Sequence, residues 1–148
     1  MKRTVNLSHA RTAFQKGVME RIQRDGVCPF CKEHFLTYHT KPILAEGKHW
    51  ILTENFEPYP GALVHLLAVA KKHVTRFEKL GPAAQTELFA LFAKEIAKRD
   101  VKGGTLLMRF GDTDYTGGTV EHLHAQLISG GKGGKGKKRI PTYIGYAA

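Results

Sequence analysis

The chain has 148 residues, the size of one ordinary domain, and 42% of them are apolar, which is enough for a hydrophobic core. No apolar run approaches the roughly 18–20 residues of a membrane span, and the first residues contain no apolar segment of the secretory type. The only two cysteines lie close together in "CPFC", which does not suggest a disulfide framework. We therefore expect a single-domain cytoplasmic protein with no membrane partner.

The formal charge is +10, and half of that excess comes from one C-terminal run, "GGKGGKGKKRI". This run cannot bury apolar surface, so we expect residues 130–148 to form a mobile basic tail. Two roles remain open: attraction to the phosphates of nucleotides or nucleic acid, or a solvated, solubilising segment. Because the tail carries so much of the charge, the basicity of the whole chain is weak evidence for nucleic-acid binding.

Apolar positions recur at helical spacing near the N-terminus and predict a helix over about 8–25, which Gly26 can end. After "CPFC" comes a mixed stretch to Thr40. Two short strands, "KPILAEG" and "HWILTEN", are predicted around Gly47 as a hairpin. The turn-forming "PYPG" then leads into the apolar strand "ALVHLLAVA".

The clearest helix is the long central segment "LGPAAQTELFALFAKEIAKRD", with Pro82 in its first turn and an apolar stripe on one side. A strand "TLLMRF", a loop "GDTDYTGG" and a strand over 119–128 follow. Adjacent strands without crossover helices predict an α+β fold with an antiparallel sheet. We assign residues 1–129 to this single domain and residues 130–148 to the tail.

The last predicted strand, "TVEHLHAQLI", alternates polar and apolar side chains. His122, His124 and Gln126 share one face, while the intervening apolar residues face the body of the domain. Solvated strand faces usually carry Lys, Glu or Thr, so this combination favours a functional site that opens to a cleft. Three chemistries remain open: two metal ligands, one metal ligand beside a nucleophile or base, or two hydrogen-bonded core histidines.

The "CPFC" motif provides two thiolates, Cys28 and Cys31, at the spacing that allows both to bind one zinc. No second C-x-x-C exists, which excludes zinc ribbons and four-cysteine sites, so histidines must complete a metal site. Spacing alone does not choose among the candidates, which are His34, His39, His49, His65, His73, His122 and His124.

Two alternatives compete for "CPFC". The motif resembles the dithiol of glutaredoxins, but a long helix precedes it and the following "KEHFLTYHTKP" is a poor helix, which disfavours that reading. A structural role without metal stays open. Among the other polar residues, we expect His65 to be a hydrogen-bonded histidine in or near the site. His34, His39 and His49 are expected at the surface, and Trp50 in the core.

Taken together, three segments resemble the histidine-triad superfamily: "CPFC", "NFEPYPGALVHLLAVAKKHV" and "HLHAQLI". The resemblance runs from about Cys28 to Ile128, with Ala70 in place of the usual proline. The family signature is His-x-His-x-His, and Gln126 takes the third position here. This His-x-His-x-Gln form is similar to the nucleotidyl-transferase branch, which includes galactose-1-phosphate uridylyltransferases and diadenosine tetraphosphate phosphorylases.

The resemblance implies a fold, a metal and a nucleophile. The fold is a histidine-triad-like antiparallel sheet with an N-terminal helix and one long central helix. His124, the central histidine of the motif, is the implied nucleophile. The implied cofactor is a structural Zn²⁺ held by four ligands, which are Cys28, Cys31, His73 and His122.

The same resemblance implies how a nucleotide binds. Gln126 offers an amide donor at the reacting phosphate, and the segment of Gly118 and Thr119 lies near it. Asn55 and Phe56 fall where the family holds the nucleoside. Arg109 is a further candidate phosphate contact, with a surface ion pair as its alternative role.

The expected function is that of a nucleotidyltransferase or nucleotide hydrolase. It cleaves or transfers a nucleoside monophosphate group through a covalent nucleotidyl-histidine, on dinucleoside polyphosphates or related nucleoside phosphates. Family members are commonly homodimers, so we expect a homodimer. The rival hypothesis is a zinc-stabilised, non-catalytic protein that binds nucleotides, or nucleic acid through its basic tail.

Overall fold

The fold is centred on one antiparallel sheet. The computed structural model describes residues 3–148. Its five strands have the spatial order β1-β2-β3-β5-β4, and every neighbouring pair is antiparallel. The α+β class with an antiparallel sheet is thus confirmed. The strands are β1 Ile43–Glu46, β2 Trp50–Glu54, β3 Val64–Ala70, β4 Thr105–Arg109 and β5 His124–Ser129.

The helices surround this sheet. They are α1 Ala13–Asp25, α2 Lys32–Tyr38, α3 Pro82–Lys98 and the short α4 Thr113–Thr116, with single 3₁₀ turns at Leu7–His9 and Phe77–Lys79. The segment expected to be one helix over about 8–25 is therefore a 3₁₀ turn followed by α1. Among residues 3–148, none of the helices combines the length and apolar character that a membrane crossing demands.

The stretch after "CPFC" was predicted to be a poor helix, and this prediction is wrong. Helix α2 begins directly after Cys31 and runs for seven residues. Its one buried side chain, Phe35, packs with Ile51, Leu67 and Val69 on the sheet. A helix this short depends on such tertiary packing more than on its own propensity, which explains why the local sequence does not reveal it.

Strand β5 begins at His124, later than the predicted strand over 119–128. The residues before His124 do not continue the pairing of β5 with β3 and β4, and Val120 pairs instead with Val5 of the N-terminal segment. Leu123 bridges two other segments: its N–H donates to the carbonyl of Val74, and its carbonyl accepts from Ala70. His122 is thereby placed beside the end of β3 rather than on the open part of the sheet.

Helix α3 covers one face of the sheet and completes the main core. Leu88 and Phe92 of the helix pack with Trp50, Leu66 and Leu127 of the strands. Trp50 is fully buried, as predicted, and its indole N–H donates to the Ala84 carbonyl oxygen at 2.7 Å. The apolar side chains of β5 belong to this face, so its polar side chains lie on the opposite face.

The opposite face is partly covered by α1, α2 and the N-terminal segment. The prediction that His39 lies at the surface is wrong, because His39 is buried between this face and the end of α2. Its ring stacks on Phe35, and its Nε2–H donates to the hydroxyl of Thr53 at 2.7 Å. Burial, together with the charge of Lys41, lowers the pKa of His39 to about 4.

We expect His39 to make the protein less stable in mild acid. An unfolded histidine titrates near 6.5, so the unfolded state binds more protons between about pH 6.5 and pH 4. The contribution of His39 to the free energy of unfolding is complete above pH 6.5. It declines by up to about 1.4 kcal/mol per pH unit as the pH falls towards 4. His39→Gln keeps a donor for Thr53 but does not titrate.

Urea unfolding of both proteins at pH 7.5, 6 and 5 checks this expectation. The slope of the unfolding free energy against pH should be shallower in His39→Gln. The difference should correspond to a large fraction of one proton taken up on unfolding. Comparing slopes cancels the other histidines, which both proteins share. Equal slopes in the two proteins would contradict the assignment.

Candidate metal centre and active site

Four sulfur and nitrogen donors converge beside the end of β3. They come from Cys28 and Cys31 before α2, His73 after β3, and His122 before β5, and all lie within 4.8 Å of one another. The Nδ1 atom of His122 is 3.3 Å from the Cys28 sulfur and 3.1 Å from Nδ1 of His73. The Cys31 sulfur is 3.3 Å from Nδ1 of His73.

These separations match a tetrahedral zinc site. With Zn–S and Zn–N bonds of about 2.3 and 2.0 Å, ligand atoms are expected about 3.3–3.8 Å apart. The Nε2–H of His122 donates to the Ala70 carbonyl oxygen at 2.6 Å, which leaves Nδ1 unprotonated and aimed at the other donors. The group can hold a metal ion, and its chemistry fits zinc.

The same crowding is unfavourable without a cation. Burial, and next the nearby Cys28, raise the pKa of the Cys31 thiol to about 12. A bound divalent ion reverses this effect, since it stabilises both thiolates directly. Without a metal, the Cys31 thiol therefore keeps its proton.

His124, the first residue of β5, lies next to the metal group but points elsewhere. Its Nδ1–H donates to the backbone carbonyl oxygen of His122 at 2.7 Å, which fixes the tautomer with an unprotonated Nε2. No hydrogen bond among the described residues uses Nε2. Burial lowers the pKa of His124 to about 4, and the charge of Arg109 on the neighbouring strand acts in the same direction. The ring is therefore neutral at physiological pH.

Gln126 is oriented by His65, which was predicted from the sequence to lie in or near the site. The Tyr59 backbone N–H donates to Nδ1 of His65 at 3.0 Å, so the proton of His65 is on Nε2. That Nε2–H donates to the side-chain oxygen of Gln126 at 2.6 Å. The amide nitrogen of Gln126 thus takes the opposite direction, and no hydrogen bond among the described residues uses it. His65 is buried, which lowers its pKa and keeps this arrangement neutral.

A cavity of about 870 Å³ opens over this face of the sheet. Its volume lies within the range of small-molecule sites. All the residues that the sequence analysis assigned to catalysis or to nucleotide binding line it, namely Asn55, Phe56, Arg109, Gly118, Thr119, His124 and Gln126. The four residues of the metal group do not line the cavity. His122 and His124 therefore belong to two different sites, although they are two residues apart in the sequence.

Asn55 lines the cavity, and the oxygen of its side-chain amide is engaged within the protein. Its side-chain oxygen accepts the backbone N–H of Glu57 at 2.9 Å. Its nitrogen lies 3.3 Å from Nε2 of His65, but that nitrogen carries the proton donated to Gln126 and therefore does not accept from Asn55. Glu57 itself lines the cavity, with one carboxylate oxygen bonded to the Thr12 hydroxyl and the other buried without a partner. Within the described residues, Glu57 is therefore a further cavity residue with an unpartnered acceptor, and sequence reasoning missed it.

Arg109 faces the cavity and also contacts the C-terminal segment. Its guanidinium donates to the backbone carbonyls of Thr116 and Tyr143, at 3.1 and 2.5 Å, and to the hydroxyl of Thr142. It forms no ion pair among the described residues. Other cavity residues missed from the sequence are His9, Arg11, Thr12, Tyr59 and Tyr146.

No protein-family model and no curated protein sequence matches this chain. Solved structures do match. A histidine triad nucleotide-binding protein from Candida albicans aligns with a TM-score of 0.57 and 17% identity, over 76% of this chain and 86% of that one. A Zn-bound histidine triad family protein from Mycobacterium smegmatis aligns with a TM-score of 0.54 and 16% identity, over 74% and 76%.

A third match, a HIT family hydrolase from Clostridium thermocellum, has a TM-score of 0.50 and 22% identity, over 72% of this chain and 91% of that one. At these identities the likeness concerns the fold. The fold of this chain is that of the histidine-triad proteins.

Proposed function

We propose that the protein is a nucleotidyltransferase or nucleotide hydrolase that acts on nucleoside phosphates through a covalent nucleotidyl-histidine at His124. The observation that carries the proposal is the orientation of that ring. One nitrogen is held by the carbonyl of His122 at 2.7 Å, and the ring lines a cavity of nucleotide size. The named hydrolase and nucleotide-binding proteins of the same fold support this reading.

The reaction is a double displacement. The Nε2 lone pair of His124 attacks the α-phosphorus, a phosphorus–nitrogen bond forms, and the bond to the bridging oxygen breaks with its electron pair going to the leaving group. An acceptor oxygen then attacks the same phosphorus; the oxyanion of a phosphate has no proton to lose, whereas a water molecule releases its proton to the solvent. The phosphorus–nitrogen bond breaks, and its electron pair returns to the imidazole.

Gln126 stabilises the charge that develops on the phosphoryl oxygens. Because His65 holds its side-chain oxygen, its amide N–H groups face the cavity beside His124. An amide does not titrate in this range, so it cannot protonate a leaving group. Leaving groups that are already stable anions, such as phosphates, therefore suit this site. Acceptors that bear a phosphate suit it better than water does.

The metal group has a structural part in this proposal. A bound Zn²⁺ would join the segment before α2 to the ends of β3 and β5 through Cys28, Cys31, His73 and His122. The zinc named in the Mycobacterium smegmatis structure supports this cofactor. The ion would fix the backbone carbonyl of His122, which in turn holds the ring of His124.

A substrate screen tests the proposed function. Dinucleoside polyphosphates, nucleoside diphosphate sugars and nucleoside phosphoramidates are each incubated with the protein, with and without inorganic phosphate. We expect release of a nucleoside monophosphate or, with phosphate, of a nucleoside diphosphate. Lack of turnover of all three classes, together with tight and salt-sensitive binding of RNA or DNA, would favour the non-catalytic alternative.

We also propose a homodimer that forms through the free edge of β4. Within residues 3–148, strand β4 pairs only with β5, and Leu106 of the strand and Phe110, which directly follows it, are exposed. Sedimentation velocity should show a dimer at micromolar concentration. Leu106→Lys should shift it to monomer, whereas the control Leu36→Lys, at an exposed leucine of α2, should not. A wild-type monomer would contradict the proposal.

A further inference from the structure

The C-terminal segment does not simply leave the domain. Ile140 lies against Gly61 and Gly130, because a side-chain carbon added at either glycine would contact it, at 3.6 and 3.0 Å respectively. Gly61 precedes β3 and Gly130 directly follows β5. The chain is therefore anchored again at the sheet ten residues after it leaves β5.

From Ile140 the chain runs along the cavity as a strap, which we define as residues 140–146. The Thr142 hydroxyl donates to the Tyr59 hydroxyl oxygen at 3.0 Å, and the Tyr143 carbonyl accepts from Arg109. The Tyr146 hydroxyl bonds to the ring of His9. Most of the strap lines the cavity, with Pro141 as its first lining residue.

The strap fixes the position of the positive charge that precedes it. We define the basic loop as residues 131–139. The loop is exposed throughout and contains five cations and no acid. Because Gly130 and Ile140 are in contact, both ends of the loop meet at one place, two residues from the cavity wall at Pro141. The cations are Lys132, Lys135, Lys137, Lys138 and Arg139.

We propose that the basic loop binds the anionic part of the substrate that lies beyond the attacked phosphorus, a chain of phosphates. This inference rests on the proposed function and specifies its substrate class. From His124 to Ser129, β5 spans about 17 Å, so a phosphate chain directed along the strand approaches the loop's base. The flexible stems of the lysines cover the remaining separation.

The loop is suited to this role by its electrostatics. Exposed cations act over about 8 Å at physiological ionic strength, and a cluster of one sign at a cavity mouth raises the local concentration of anions. The cavity lining carries two guanidinium groups, of Arg11 and Arg109, and one carboxylate, of Glu57, so the five cations of the loop exceed its own net positive charge. A substrate whose leaving group carries no phosphate gains little from the loop.

The test compares two substrates and two triple variants. The loop variant is Lys137→Gln, Lys138→Gln and Arg139→Gln. The control is Lys94→Gln, Lys98→Gln and Lys102→Gln, which changes the net charge equally but lies on or just after α3, on the other side of the sheet. The substrates are a dinucleoside tetraphosphate and the p-nitrophenyl ester of a nucleoside monophosphate, whose leaving group, p-nitrophenolate, departs without protonation and carries no phosphate.

We expect the loop variant to lower kcat/KM for the tetraphosphate by about tenfold or more and to leave kcat/KM for the p-nitrophenyl ester unchanged. The control variant should leave both unchanged. A loop variant that affects both substrates equally, or that behaves like the control, would overturn the proposal.

A binding measurement separates this proposal from the proposed function. Calorimetric titration of His124→Asn with tripolyphosphate should give weaker binding when the loop substitutions are added and no change with the control substitutions. This result supports the loop even if the protein turns over no nucleotide. Loop-dependent binding of a single-stranded oligonucleotide that is tighter than tripolyphosphate binding at equal ionic strength would assign the loop to nucleic acid instead, and would overturn the proposal.

Discussion

Replacing His124 with Asn is expected to lower kcat by at least about 10³-fold, because the substitution removes the atom that bonds to phosphorus while the cavity stays in place. Asparagine can still donate to the carbonyl of His122, so the start of β5 should keep its geometry. Steady-state rates with the best substrate from the screen measure the effect.

The matched control for this variant is His34→Asn. His34 is half-exposed on α2 and does not line the cavity. Its variant should keep wild-type rates, and both variants should bind nucleotide and zinc as the wild type does. If His124→Asn kept more than a tenth of the wild-type kcat, His124 would not be the nucleophile.

The second large effect is expected from loss of the metal. Zinc that binds only the folded state contributes about 2.7 kcal/mol to the free energy of unfolding at a hundredfold excess of free ion over Kd. Removing it with a chelator should lower Tm by roughly 5–10 °C for a chain of this length. Protein purified without added metal should contain about one zinc per chain.

Two substitutions sharpen this prediction. Cys28→Ser, which removes a ligand that is almost fully buried, should abolish zinc binding and make Tm insensitive to the chelator. His34→Ala, a half-exposed histidine outside the four-ligand group, should keep both the zinc and the chelator response. A wild-type protein that contains no zinc, with a Tm equal to that of Cys28→Ser, would contradict the four-ligand assignment.

Much of the fold can be predicted from local patterns. Strand β5 and helix α3 each bury one apolar face. The apolar residues of these faces recur in the sequence at the spacing of a strand and of a helix, respectively. The pattern fails where packing between distant segments decides. Helix α2 exists because Phe35 packs on the sheet, and His39 is buried because that helix covers it.

The candidate site divides in the same way. Residue types and spacing, together with the family resemblance, select the four donors that converge and the histidine beside them. They do not select Glu57 or Tyr146, which reach the cavity through turns and contacts between the two ends of the chain. One signal was available: Ile140, Tyr143 and Tyr146 are large apolar or aromatic residues in a segment otherwise expected to be solvated.

Direct detection of the covalent intermediate tests whether His124 forms the bond to phosphorus. The protein is incubated with a dinucleoside polyphosphate labelled in the nucleoside, quenched in base, and digested for peptide mapping by mass spectrometry. We predict one nucleoside monophosphate, labile to acid, on the peptide that contains His124. A protein that turns over the substrate yet carries the label on another residue, or carries none in the rapid-quench time range, would contradict the account.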